Sequence, residues 1–183
     1  MKNNLAGYKY MKASPKTRSY KVSTEIKSAT LPSVVDLRKH HTPVENQGQS
    51  NSCTANAVVG ACEYLLKKNT GKQIDLSRLF VYYNARLRKN EQNKDAGSVI
   101  QFAMESLKTL GVCSEKTWQF DIKKTIVKPD QRSYKEGASF KITDFQKVEL
   151  KLDTWKRCLA EGYPIIFGCY LFKTFDECSK KGG

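Results

Sequence analysis

Gln47 and Cys53 stand six positions apart in the stretch Pro43-Val44-Glu45-Asn46-Gln47-Gly48-Gln49-Ser50-Asn51-Ser52-Cys53-Thr54-Ala55-Asn56-Ala57, which opens an alanine-rich segment. A thiol attacks only as its thiolate. Placing Cys53 in the first turn of a helix surrounds it with unsatisfied backbone N–H groups and the positive end of the helix dipole. The Cys53 N–H and the Gln47 carboxamide could then share a developing oxyanion, and Gly48 allows the turn that brings them together. Taken alone, the stretch leaves two readings open. A cysteine at a helix start is also an ordinary packing residue, and Gln-Gly an ordinary turn.

The base such a thiol needs is not visible beside it. The only two histidines are His40 and His41, upstream of Gln47, and none follows before Gly183. Their adjacency reads as surface or interdomain packing. Asp36 and Arg38 read as a structural pair, Glu63 as a solvent or interdomain polar contact, and Asp121 as a loop residue. None carries a pattern for acid–base work.

The elements that must hold this chemistry follow from caps and periodicity. Ser52 is placed to cap a helix from Cys53 towards Lys68, with Ala57, Ala61, Tyr64 and Leu65 at helical spacing and Gly71 ending it. Asp75 or Ser77 opens a second helix through Phe80, Tyr83 and Leu87. Ser98 is expected to cap a third, with Val99, Phe102, Ala103, Leu107 and Leu110 inward and Gly111 after its last turn. The texture then changes: 122–134 reads as a basic, proline-containing connector. Residues 140–145 and 163–172 read as strands around a short helix from Asp153 to Glu161. Residues 1–30, rich in lysine with a lone Glu25 from Lys2 to Lys27, read as an arm lying on the body or free of it. The expected division is 1–30 arm, 31–125 helical domain and 126–183 a partial β-rich domain. Two strands and one helix do not close a barrel, so the second domain is expected to be incomplete and to expose Ile165, Phe167 and Tyr170.

Composition narrows the class. At 183 residues with 39% hydrophobic content the chain can build a core. No run approaches the ~20 apolar residues of a membrane span, and the polar N-terminus lacks a secretory h-region. An intracellular or virion-associated setting is the expectation. The net charge of +14 is spread over every segment without an arginine-rich arm or stacking motif, which argues for a solvated surface over specific nucleic-acid binding. Six cysteines include no CxxC pair and no zinc spacing, so neither metal nor cofactor is expected. Cys62, Cys158 and Cys169 read as core, and a Cys113–Cys178 pairing stays open.

In order and spacing, these residues resemble the papain-like cysteine peptidases. The resemblance rests on Asp36-Leu37-Arg38, Pro43-Val44, Asn46-Gln47-Gly48, Ser52-Cys53, Leu76-Ser77-Arg78-Leu79-Phe80, Asp95-Ala96-Gly97-Ser98, Trp118-Gln119-Phe120 and Gly162-Tyr163-Pro164-Ile165. It covers roughly residues 31–175. Thr54-Ala55-Asn56 in place of Trp-Ala-Phe is similar to the microbial and viral branch. The resemblance implies an α+β fold, with a helical left domain, a β-rich right domain and a cleft between them. It implies Cys53 as nucleophile, Gln47 as oxyanion donor, Gly97 and Ser98 as substrate-binding residues, and a peptide or protein substrate. The arm before residue 31 occupies the place of a propeptide that could cover the cleft. The family's catalytic histidine and asparagine would lie beyond the strand that 163–172 resembles. The chain is therefore expected to be a truncated, N-terminal portion completed by a further C-terminal segment. The alternative is an inactive relative that binds peptides or a protein partner.

Overall fold

The computed structural model describes residues 7–170, and a long helix organises it. Helix α2 (Cys53–Thr70) begins behind Ser52 and ends at Gly71, whose φ of +69° lets its N–H close on the Lys67 carbonyl at 2.9 Å. It buries Thr54, Ala55, Val58, Val59, Glu63 and Tyr64. Ala57, expected on the inner stripe, is exposed. The two valines carry more apolar surface than the alanines, and their packing sets which face turns inward.

That face meets α3 (Arg78–Leu87) and α4 (Ile100–Thr109), which also pack on each other. Ser77 caps α3 by accepting from the Phe80 N–H at 3.2 Å, and its hydroxyl donates to the Trp118 carbonyl at 2.6 Å. Every residue from Arg78 to Arg86 is buried, the mark of a helix enclosed on all sides. Phe80, Leu79, Val81, Leu107, Val112 and Cys113 join Val58 and Val59 in one cluster. Each fully buried side chain of this size contributes about 1.5–3 kcal/mol.

Helix α4 departs from expectation at both ends. Its cap position is Val99, not Ser98, and Leu110 is partly exposed rather than inward. Gly111 does follow the last turn, at φ +79°, and a Cβ there would stand 1.9 Å from the Gly137 carbonyl oxygen. That close approach admits only glycine.

The segment 122–134 is more ordered than a connector. It holds a 3-10 turn, Ile122–Lys124, and enters α5 (Gln131–Gly137), which Asp130 caps by accepting from the Ser133 N–H at 2.7 Å. Residues 140–145 and 163–170 form no strand; Leu171 and Phe172 lie outside the described residues. Among the described residues the β-pairing consists of isolated bridges: Tyr8–Ser98 and Ser19–Lys147, both parallel, and Leu76–Ser114, antiparallel. A strand is a pairing rather than a local shape, so apolar runs such as 164–168 do not become one without a neighbour. Helix α6 (Leu152–Ala160) lies one residue earlier than expected and is followed by Gly162 at φ +78°. Of the three residues expected to be exposed, Phe167 and Tyr170 are largely so and Ile165 is half-buried.

The arm lies on the body and carries one helix that composition did not announce, α1 (Thr24–Ser28). It packs on α6, where Glu161 accepts from the Ser23 N–H at 2.7 Å and Arg157 donates to the Ile26 carbonyl at 2.6 Å. The described cysteines are free thiols. Cys113 and Cys158 are buried and Cys62 half-buried, and burial pushes each of these thiols up to about 11. Cys169, read as core, is exposed; among the described residues its segment pairs with no strand. Cys178 lies outside the described residues.

Candidate active site

Cys53 is the first residue of α2 and is partly accessible. Ser52 occupies the cap position, but its hydroxyl does not reach back to the helix N–H groups. It accepts instead from the Asn56 amide at 2.9 Å and lies 2.7 Å from the Ser50 hydroxyl. The turn before it is closed by Gly48 at φ +54° and by the Ser50 N–H donating to the Gln47 carbonyl at 3.2 Å. The Gln47 amide donates to the Ser50 carbonyl at 2.8 Å. One of its two N–H bonds is thus used for anchorage, leaving the other free.

The second wall comes from residues 95–98. Asp95 accepts from the Asn51 N–H at 3.1 Å, and its carbonyl accepts from the Asn51 side chain at 2.8 Å. Tyr82 donates to the same carboxylate while accepting from the Gly97 N–H at 3.0 Å. Burial first, then this bond to Asp95, raises the Tyr82 phenol well above its ordinary value. Gly97, at φ +75°, makes the corner that only glycine takes without strain. Thr54, directly after Cys53, donates to the Ser98 carbonyl at 3.1 Å. Cys53 and Ser98 are therefore joined through one residue.

Across this cleft runs the arm. The Ser98 N–H donates to the Gly7 carbonyl at 2.9 Å, and the Lys9 N–H donates to the Ser98 carbonyl at 3.0 Å. A Cβ on Gly7 would stand 2.7 Å from both the Cys53 Sγ and the Asn51 carbonyl oxygen. The tyrosine that follows is pressed against Gly168, where a Cβ would meet the Tyr8 ring at 2.3 Å. The cleft is thus filled by main chain.

The other candidates sort plainly. His40 and His41 pack on Tyr64, with ring centroids 6.1 and 5.1 Å away. Tyr64 follows Cys53 by three helical turns, about 16 Å along the axis. Neither imidazole is placed to act on the thiol. Asp36 and Arg38 do pair, at 2.9–3.0 Å on the surface, and the Arg38 hydrogen bonds hold the Asp36 carboxyl down to about 2. Asp121 caps its own turn by accepting from the Lys123 N–H at 2.9 Å. Glu63 overturns its reading. It is buried, accepting from the Leu76 N–H at 2.8 Å and the Thr42 hydroxyl at 2.7 Å. A carboxylate is retained there because two segments leave donors facing it. Among the described residues no group of three or more His, Cys, Asp or Glu could hold a metal, and no helix is long and apolar enough to cross a membrane.

The family profile described as papain family cysteine protease matches residues 31–179. The chain belongs to the papain family. Peptidase C1-like protein L477 of Acanthamoeba polyphaga mimivirus is 32% identical over 172 residues, covering 86% of this chain and 55% of that protein. Xylellain, a cysteine protease from Xylella fastidiosa, superposes with a TM-score of 0.74 at 34% identity, over 86% of this chain and 64% of that one. Procathepsin L 3 of Tenebrio molitor larval midgut shares the fold alone, with a TM-score of 0.66 at 17% identity over 86% and 48%. The chain spans about half the length of its viral relative. Its fold is papain-like, and the described residues are mostly its helical part.

Sequence reading missed Asn51, Thr54, Asn56, Tyr82 and Asp95. Asp95 stood in a recognised run, Asp95-Ala96-Gly97-Ser98, but its partners come from 13 and 44 positions away. No periodicity announces such pairings.

Proposed function

We propose that this chain carries the thiol half of a cysteine endopeptidase site, with Cys53 as nucleophile and Gln47 as oxyanion donor. The Cys53 sulfur adds to a peptide carbonyl, forming an S–C bond while the π pair moves onto oxygen. The free Gln47 N–H and the Cys53 N–H receive that oxyanion. The C–N bond then breaks, the amine leaves with a proton, and water hydrolyses the acyl thioester. The proton donor is the imidazole implied by the family, and His40 and His41 are not placed to supply it. Turnover therefore requires an imidazole from outside these 183 residues. The observation that carries the reading is the extended main chain already lying between Cys53 and Ser98, bonded to both backbone groups of Ser98. A substrate would take the same Ser98 groups. The Gly97 N–H is committed to Tyr82, so Gly97 would pair with substrate through its carbonyl. The division into residues 31–125 and 126–183 belongs to this proposal.

The arm occupies the place a substrate needs, which makes it a cover for the site. The same filled cleft favours the second reading, a relative that binds peptides without cutting them. A peptide bearing a thiol-reactive electrophile decides the first point. Labelling confined to Cys53, blocked by competing peptide, is expected. Labelling at Cys169 instead would overturn the assignment. Cleavage of a peptide by the protein joined to its imidazole, absent in Cys53→Ala, separates the two readings.

The cover is expected to loosen in acid. Lys9 of the arm donates to Glu91 at 2.7 Å, and that hydrogen bond holds the Glu91 carboxyl below its usual value. A lowered carboxyl contributes stability that is complete above its free pKa of about 4.3 and is lost as pH falls through its lowered value. Exchange of the Lys9 amide, corrected for the intrinsic rate, should therefore accelerate below about pH 4. Glu91→Gln should exchange faster at neutral pH and lose the acid step.

A further inference from the structure

We infer that Asn56 is a positioning residue for the oxyanion donor, acting through a one-way chain of hydrogen bonds that ends on Gln47. This rests on the peptidase reading of Cys53 and Gln47. The Asn56 amide donates to the Ser52 hydroxyl at 2.9 Å and to the Ser52 carbonyl at 3.0 Å. The Ser52 and Ser50 hydroxyls are 2.7 Å apart, and the Ser50 hydroxyl donates to the Gln47 carbonyl at 2.8 Å. A hydroxyl has one proton to give. Because Ser50 spends its proton on Gln47, the proton between the two serines belongs to Ser52. Because Ser52 gives that proton away, its oxygen is left as the acceptor that Asn56 fills. The order Asn56, Ser52, Ser50, Gln47 has a single self-consistent direction.

The chain is also pinned at its far end. Arg78 Nη1 lies 3.4 Å from Asn56 Oδ1, which keeps the amide from turning its oxygen toward Ser52. Arg78 is itself held by Glu45 at 3.0 Å. Ser50 and Ser52 are 4% and 0% exposed, so the link between the two serines is sealed from solvent. At the near end, Ser50 holds Gln47 through three hydrogen bonds: its N–H and hydroxyl bind the Gln47 carbonyl, and its own carbonyl takes one Gln47 N–H. The remaining Gln47 N–H is therefore aimed by a turn whose rigidity depends on a side chain in the first turn of α2. Asn56 touches neither substrate nor thiol; it acts through the serines.

The test uses two reagents that differ only in needing an oxyanion donor. A peptide aldehyde adds the thiol S–H across its C=O to give a hemithioacetal, whose oxygen sits where the oxyanion would. Iodoacetamide alkylates by forming S–C and expelling iodide, with no oxyanion. In the full chain, Asn56→Ala should weaken aldehyde binding at Cys53 by about tenfold, the worth of one well-placed hydrogen bond, and change alkylation less than ~2-fold. Asn56→Asp keeps the size and loses the donor, so it should weaken aldehyde binding at least as much; Asn56→Asp binding like the unaltered chain overturns the inference. In a Gln47→Ala background, Asn56→Ala should add almost nothing, because its effect runs through Gln47. Equal losses with both reagents, or full additivity with Gln47→Ala, would make Asn56 a packing residue and sink the proposal. Failure of the chain lacking residues 1–12, which leaves Cys53 uncovered, to bind the aldehyde at Cys53 would instead sink the peptidase reading.

Discussion

Removing residues 1–12 should raise the alkylation rate of Cys53 by roughly 30-fold while leaving that of Cys169 unchanged. The Gly7 segment stands against the Cys53 sulfur, so attack is expected chiefly in molecules whose arm has lifted. An opening cost of about 2 kcal/mol, ordinary for a terminal segment held by a few bonds, leaves ~3% of molecules open. The truncation stops before Ser14, whose N–H donates to Gln101 at 2.9 Å, and before the Ser19–Lys147 bridge. The remainder of the arm and α1 keep their anchors. Gly7→Val reaches the same end without shortening the chain. Its side chain would have to enter space where a first carbon already stands 2.7 Å from the Cys53 sulfur, well inside contact distance. The Gly7 segment should then leave the thiol and take the Ser98 pairing with it. Rates read by mass spectrometry on the two cysteine peptides check both variants. A Gly7→Val protein alkylating at the original rate would show that the arm does not guard the thiol.

How much of this was legible beforehand depends on how local each feature is. The start and end of α2 were, since Ser52 does occupy the cap position, although its hydroxyl does not cap, and Gly71 supplies a left-handed stop. The inner face of α2 was misjudged, since Val58 and Val59 turn inward against α3 and α4 and displace Ala57 to solvent. Gln47 and Cys53 were legible as a motif. The residues that steady them were not. Asp95 meets Asn51 across 44 positions, and Glu63 meets Thr42 and Leu76 from two other segments. A buried polar side chain is intelligible only with its partners, and sequence spacing does not supply partners that distant. The segments 140–145 and 163–170 failed for the same reason in reverse: their composition suits a strand, but pairing is a long-range property. The resemblance implied an arm that could cover the cleft, and the main-chain bonds at Ser98 support proposing that role for it.

Arg86→Ala should lower stability by at least about 4 kcal/mol, more than any surface substitution in the chain. The residue is 1% exposed, and its guanidinium is desolvated enough to depress its basicity. It stays in place because it is surrounded by acceptors: the carbonyls of Tyr82 at 3.2 Å, Gln92 at 3.4 Å, Lys94 and Thr125. The Tyr82 ring lies 3.7 Å from its central carbon, adding a cation–π contact. Each carbonyl left buried without a donor costs about 1–3 kcal/mol, and the vacated volume adds to that. At ~2–4 °C per kcal/mol for a chain of this size, the melting point should fall by roughly 8–16 °C. Arg86→Met keeps most of the volume, so it should recover the packing share and not the carbonyl share. Arg88→Ala is the control: that side chain is a third exposed and pairs with Glu105 at 3.0 Å, a contact worth less than about 1 kcal/mol. The carbonyls of Gln92 and Lys94 belong to the loop that delivers Asp95 to Asn51. Losing Arg86 should therefore loosen the cleft wall before it unfolds the chain. Aldehyde binding at Cys53 should weaken in Arg86→Met at temperatures where circular dichroism still reports a fully helical protein. A melting point within 2 °C of the original would mean that the four carbonyls find water, and that Arg86 is not what holds this wall.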